Sequence, residues 1–527
     1  MELRWIGVAF AFGLLARGAG QTAAIGYLVA GFVLEELGVV SDAALRDLAD
    51  LGVTLLLFTI GLKLDLRTLA RPHVGGLAVA HLGLSTLGAA ALFGLLGVSG
   101  VGWLAGAGPA AVAELAFATA FSSTVVASRL LEDRRDLGAV YGRAAIGVLV
   151  VQDLAAVIFL AAREGKAPSP LALLLLLLPF TRPLLARILG ATGHGVLLVL
   201  AGLTAALGFG ALFAAVGLKA ALGALLGGVL LSGSAKGKEL ARVMLPFRDF
   251  FLVGFFLSVG LSGLPNWTSV AVAATVLLVL PLKVGLFVAL GLTAKLRART
   301  AFLLAASLGQ LSEFGLIVLA ALAAGGAVPA DWLTGFALAF AVSCVLSELL
   351  GRRTYGLWER WRAQLTPLAR PDRLPEERAV DVRDASVLVF GLGRVGESAF
   401  AALESAGVGE LAGFDNDPDV VALHQRAGRR TYLGSPTDPD LFERLHLDPA
   451  SVRWVLLALS SGAEHLNALE QLRHAGFTGS IAVVARYENE LPALRAAGAA
   501  VALPVYAEAG AGLASHVLDS QPAKSAA

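Results

Sequence analysis

The sequence predicts a polytopic α-helical membrane domain followed by an α/β Rossmann-like domain. Three observations carry this. Hydrophobic residues make up 57% of the 527 residues and charged residues only 15%, whereas a soluble globular chain carries about 25% charged residues. The apolar runs stop near residue 352 and give way to a charged, proline-bearing stretch, GRRTYGLWERWRAQLTPLARPDRLPEERAVDVRD (351–384). Beyond it, ASVLVFGLGRVGESAFAALESAG reads strand, glycine turn, helix. The expected division is therefore a membrane domain over 1–352, a linker over 353–384, a Rossmann-like domain over 385–517 and a tail over 518–527. A net charge of +1 gives no electrostatic footprint for nucleic acid. The single cysteine, Cys344, excludes an intrachain disulfide and any cysteine-based metal cluster.

About 13 apolar spans precede residue 352, near 3–17, 21–40, 48–63, 74–97, 109–131, 143–162, 168–188, 195–216, 218–234, 247–264, 268–293, 300–325 and 332–350. The longer ones meet the requirement of ~20 residues for a spanning helix. The first span also has the layout of a signal peptide, but an internal repeat argues against that reading. A shift of 197 places Gly13, Gly20, Gly26 and Gly31 on Gly210, Gly217, Gly223 and Gly228. A shift of 199 places FTIGL (58–62) on LSVGL (257–261). The offset is seven spans, an odd number, so the halves are expected to be inverted copies, with the site at the midplane where broken helices meet. Thirteen spans and a cytosolic C-terminus put Arg67 and Arg71, Arg129, Arg134 and Arg135, Arg182 and Arg187, and Lys236, Lys238, Arg242 and Arg248 in inner loops. The outer loops at 41–47, 98–108, 264–267 and 326–331 hold one arginine between them, as the positive-inside rule requires. Lys219 is the main exception.

The run RAAIGVLVVQDLAAVIFLAAR (143–163) is long enough to cross a bilayer and carries one carboxylate, Asp153, beside Gln152. An ionisable residue at that depth costs roughly 2.5–3.5 kcal/mol by insertion scales and usually marks an ion or proton path. Two further stretches hold polar groups mid-span at corresponding places in the two halves. One contains Ser122, Ser123 and Thr124; the other contains Gly309, Gln310, Ser312 and Glu313. Hydroxyls in a row compete for backbone carbonyls and loosen a helix. Both stretches are therefore expected to be interrupted helices crossing near Asp153. Lys283, deep in VLLVLPLKVGLFVALGL, is expected to pair with a carboxylate or amide, Asp153 and Glu313 being the candidates. Burial disfavours a bare carboxylate charge. A proton and a dehydrated monovalent cation would then compete for Asp153, and coupled electroneutral exchange follows.

These motifs resemble the Kef-type potassium/proton antiporters of the monovalent cation:proton antiporter superfamily. The resemblance rests on SST, QD within LVVQDLAAV, FFLSVGL, LGQLSEFGL and a Rossmann-type domain after them. It implies that Asp153 is the exchange carboxylate and binds the cation. Gln152 then stands where sodium-type relatives often carry a second Asp. Ser122–Thr124 and Gly309–Glu313 would form the crossing, and the protein would be a homodimer in the bacterial inner membrane. Glutathione-gated members carry an acidic regulatory loop, whereas SAKGKELARVMLPFR stands here and is basic, which argues against glutathione control. A Na+/H+ antiporter and a ligand-gated K+ efflux channel are the alternatives, although no TVGYG-like filter string occurs.

In the soluble part Val387–Phe390 is the expected strand and Gly391, Gly393 and Gly396 are the GxGxxG glycines. They permit a tight turn, close approach to a phosphate and close helix packing, with a helix N-terminus facing the phosphate. Arg394 lies within the turn. Asp415, 24 residues beyond Gly391, suits a ribose hydroxyl. Further strands are expected at 430–433, 452–458 and 481–485. The segment resembles the nucleotide-binding lobe of the regulator-of-potassium-conductance family, which implies an adenine nucleotide, AMP or NAD(H), as regulatory ligand. No Ser/His/Asp arrangement and no HExxH occurs, and no substrate domain remains after the Rossmann segment, so an enzyme is not expected.

Overall fold

The chain is described from a computed structural model over residues 3–39, 43–63, 71–104, 107–134, 136, 139–163, 169–218, 220–446, 451–459 and 461–519. Arg67, Arg135, Lys219 and most of the expected tail lie outside the described residues. Two compact units are present. The first comprises Met1–Leu130, Ala144–Ala294 and Ala298–Ala369; the second comprises Leu131–Arg143, Lys295–Arg297 and Arg370–Ala527.

Every described secondary-structure element of the first unit is a helix. Eight described helices are long and apolar enough to cross a membrane, and Trp5–Gly18, Leu222–Leu231 and Glu313–Ala324 are shorter apolar helices. A helix satisfies its own backbone polar groups, which is why apolar runs adopt it where water is absent. The elements that matter below are α1 (Leu77–Val98), α2 (Pro109–Thr119), α3 (Thr124–Asp133), α4 (Val140–Arg163), α5 (Val279–Thr293), α6 (Ala298–Ser307), α7 (Glu313–Ala324) and α8 (Ala330–Gly351). Residues 120–123 interrupt α2 and α3, and residues 308–312 interrupt α6 and α7. Glycines set the closest helix contacts. A side chain at Gly31 would strike the backbone of Gly260, and one at Gly228 would strike that of Gly61. Small residues let backbones approach in this way.

The second unit holds a six-stranded parallel sheet of β1 (Val387–Phe390), β2 (Leu411–Asp415), β3 (Thr431–Leu433), β4 (Trp454–Leu457), β5 (Ser480–Ala485) and β6 (Val501–Pro504). Its order is β3-β2-β1-β4-β5-β6. Central β1, VLVF, is buried at all four positions, as a strand covered on both faces must be. Phe390 and Phe414 stack in the core. Helix α9 (Arg394–Ser405) follows β1 directly. The order reverses at β1, and the C-terminal ends of the strands beside such a switch point are where ligands bind in open α/β sheets.

Candidate functional site

Breaking a helix frees carbonyls at the end of its first half and amides at the start of its second. The serines satisfy the amides. Ser123 Oγ accepts from Val126 N at 3.3 Å, at the start of α3. Ser312 Oγ accepts from Phe314 N at 3.1 Å, at the start of α7. The two breaks are also bonded to each other. Ser122 Oγ donates to Leu308 O at 2.8 Å, and Gln310 Nε2 donates to Ser123 O at 3.2 Å. Ser347 on α8 supports the arrangement by donating to Gln310 Oε1 at 3.2 Å.

Lys283 takes the freed carbonyls. Its Nζ donates to Thr119 O at 3.3 Å, to Gln310 O at 2.9 Å and to Phe121 O. The carboxylate partner expected from the sequence is thus replaced by three backbone oxygens, matched to the three donors of an ammonium. The helix dipole gives the reason. The C-terminal ends of α2 and α6 carry negative partial charge and attract a cation, while the N-terminal ends of α3 and α7 favour anions. Glu313 opens α7, and Asp153 meets α3 at its first residue.

Gln152 and Asp153 lie mid-way along α4 and are buried. Gln152 Oε1 accepts from Ser122 N at 2.9 Å, and its Nε2 donates to Ala120 O at 3.4 Å. The amide thereby pairs one donor and one acceptor of the first break. Asp153 is 2% exposed. Its Oδ2 accepts from Thr124 Oγ1 at 3.1 Å, while its Oδ1 has no hydrogen-bond partner. Glu313 is equally buried, and neither of its carboxylate oxygens has a hydrogen bond of ordinary length. The crossing therefore brings together all nine membrane residues picked out in the sequence. Most of their polar atoms are paired within it, and Asp153 Oδ1 and the two Glu313 carboxylate oxygens stand out.

In the second unit Gly391 has φ +86°, a left-handed conformation suited to glycine. A Cβ on Gly396 would run into the Gly391 carbonyl, whereas one on Gly393 would meet nothing within 4 Å. So Gly391 makes the turn, Gly396 permits the packing of α9, and Gly393 leaves room above the turn. Asp415 closes the turn from β2. Its Oδ2 accepts from Leu392 N at 2.7 Å and its Oδ1 from Asp417 N at 2.9 Å. Gly391, Gly393, Arg394 and Asp415 border a cavity of about 610 Å³, which Gly396 does not line. His465 supports the rim, its Nε2 accepting from Leu459 N at 3.0 Å. Burial holds this imidazole below the ordinary histidine range.

Comparison with known proteins now decides the family. Residues 6–351 match the family described as sodium/hydrogen exchanger, transmembrane, and residues 387–504 match the TrkA-N domain. The chain belongs to the sodium/hydrogen exchanger family. Two relatives bear the same printed name, glutathione-regulated potassium-efflux system protein KefC. That of Enterobacter sp. (strain 638) is 30% identical over 80% of this chain and 69% of its own length. That of Salmonella schwarzengrund (strain CVM19633) is 30% identical over 92% of this chain and 79% of its own. Among solved structures, the sodium proton antiporter MjNhaP1 of Methanocaldococcus jannaschii covers 69% of this chain and 97% of its own at 13% identity, with TM-score 0.44.

Within this exchanger, a multi-pass membrane transporter carrying a Rossmann-like TrkA-N domain, one side chain of the site was missed in the sequence. His81 on α1 is fully buried. Its Nε2–H donates to Lys283 O at 3.2 Å, and its ring stacks on Phe287 with centroids 3.4 Å apart. His81 thus clamps the turn of α5 that presents Lys283. A lone imidazole within the apolar run 74–97 was the available signal.

Proposed function

We propose that the chain exchanges potassium for protons across the bacterial inner membrane, with both ions competing for Asp153. The observation that carries this is the open Oδ1 of a buried carboxylate set against the break between α2 and α3. A proton bonds that oxygen, and a dehydrated cation would be coordinated by it with the Thr124 hydroxyl alongside. Either cancels the charge, and an empty ionised site is disfavoured by burial. One charge in each direction makes the exchange electroneutral. Glu313 and Ser312 line the second break and would share the path, while Gln152, Gln310 and Lys283 hold the two breaks in place.

The reciprocal contacts of Gly31 with Gly260 and of Gly228 with Gly61 support an inverted repeat. Under the shifts found in the sequence, Gly31 corresponds to Gly228 and Gly61 to Gly260, so each contact maps onto the other. About 13 spans, a cytosolic C-terminal domain and a homodimer complete the proposal, with the domains bounded at 1–352, 353–384, 385–517 and 518–527. The TrkA-N domain would bind AMP or NAD(H) through Gly391, Gly393, Arg394 and Asp415 and regulate exchange. The test is dye quenching in proteoliposomes under K+ and Na+ gradients, with wild type and Asp153→Asn. K+-driven proton movement lost in the variant supports the proposal. A response to Na+ alone would replace K+ by Na+, and flux without proton movement would indicate a channel.

A further inference from the structure

The nucleotide cavity of the second unit contains a residue that no Rossmann motif supplies. Besides the glycine turn and Asp415, it is lined by Glu464 and by three arginines, Arg394, Arg486 and Arg143. Arg394 follows the turn and Arg486 follows β5, as strand-end residues at a switch point do. Arg143 comes from elsewhere in the chain, in the segment Leu131–Arg143 that belongs to this unit. It sits in the first turn of α4, the helix that carries Asp153.

We infer that Arg143 is a phosphate ligand of the nucleotide taken up by this cavity, so that the nucleotide's charge is read directly by the helix bearing the exchange carboxylate. This rests on the reading of the cavity as a nucleotide site. The chemistry divides among the residues. Both Asp415 oxygens accept backbone amides, and the carboxylate keeps lone pairs for a ribose hydroxyl. The N-terminus of α9 offers amides to an anion, and the open space above Gly393 admits it. A guanidinium supplies the planar fork that matches phosphate oxygens. The first turn of α4 is also held firmly. Tyr141 Oη donates to Asp136 Oδ2, and both residues are buried. Asp136 O accepts from Ala139 N at 3.0 Å, and Ala139 O accepts from Arg143 N at 3.0 Å. A phosphate bound by Arg143 therefore bears on a fixed helix turn. Asp153 follows ten residues later, about 15 Å along an α-helix. Without the phosphate, a nucleoside fills the cavity and leaves α4 unaddressed.

The experiment measures binding of AMP and adenosine by calorimetry to the full-length protein in detergent. It also measures the AMP concentration that half-changes K+/H+ exchange in proteoliposomes. Arg143→Gln is expected to weaken AMP about 10-fold or more, the loss of a charge-assisted bond, to leave adenosine affinity within about 2-fold, and to shift the transport midpoint by the same factor as AMP. In the wild type, AMP but not adenosine should protect Arg143 from an arginine-selective dicarbonyl reagent, which decides the matter if the variant does not fold. Equal AMP affinity in wild type and variant, or equal labelling of Arg143 under AMP and adenosine, overturns the inference while leaving the nucleotide site in place. Absence of any AMP or NAD binding by the wild type overturns the nucleotide reading and this inference with it.

Discussion

The helix crossing and the glycine turn solve opposite versions of one problem. Both expose backbone groups that regular structure would have paired. At the crossing the chain closes them itself: side-chain oxygens take the freed amides, and its own cation, Lys283, takes the carbonyls. At the glycine turn they are amides, and space is left above Gly393 for an anion to arrive. The crossing thus fixes its backbone charges internally and leaves carboxylate oxygens of Asp153 and Glu313 without partners, whereas the glycine turn leaves its amides beside open space.

This contrast breaks most visibly at Lys283. Lys283→Met leaves three carbonyls without a donor, each costing about 1–3 kcal/mol when buried. A loss of roughly 3 kcal/mol or more is expected in thermal unfolding of the detergent-solubilised protein, together with loss of exchange. Unchanged stability would mean that the crossing does not depend on the ammonium. At the other site, Gly396→Ala forces α9 away from Gly391. A cost of about 1–3 kcal/mol is expected from overpacking. Titration with AMP should show binding lost, while exchange measured without nucleotide persists.

How much of this was legible in sequence differs between the regions for physical reasons. The interrupted helices could be read because Ser122–Thr124 and Gly309–Glu313 place hydroxyls and amides where only apolar residues are otherwise stable. The partner of Lys283 could not, because a sequence displays carboxylates but not freed carbonyls. His81 was passed over for the same reason, since its partner is the backbone of α5. In the second unit the motif gave β1, the turn and α9 together, and strands β3 to β5 fall on the expected segments. Strands β2 and β6 were missed. The stretch LAGFD of β2 is short and glycine-bearing, and β6 is a short edge strand, partly exposed, that carries little of the hydrophobic pattern marking the buried strands.

His465 must stay neutral to accept the Leu459 amide, and burial depresses its proton affinity in the folded state. The unfolded chain then binds more protons than the folded one below the ordinary imidazole value of about 6.5. Its contribution is therefore full above that pH and is lost as pH falls through it. The drop in melting temperature between pH 7.5 and pH 5.5 should be smaller in His465→Asn than in wild type. Equal drops would place the acid sensitivity elsewhere. The smallest effect is expected at His81, where Phe preserves the stack on Phe287 but removes the bond to Lys283 O. His81→Phe should cost about 1 kcal/mol and lower the maximal exchange rate more than it changes the cation concentration at half-maximal rate.

The measurement that bears most directly on the account is proton movement driven by a K+ gradient in proteoliposomes, comparing wild type with Asp153→Asn and Asp153→Glu. An amide at 153 keeps the shape and the bond to Thr124 but cannot exchange a proton for a cation. Loss of at least about 100-fold is expected in Asn, partial retention in Glu with a shifted pH optimum, and no membrane potential generated by wild type. Undiminished exchange in Asp153→Asn would contradict it.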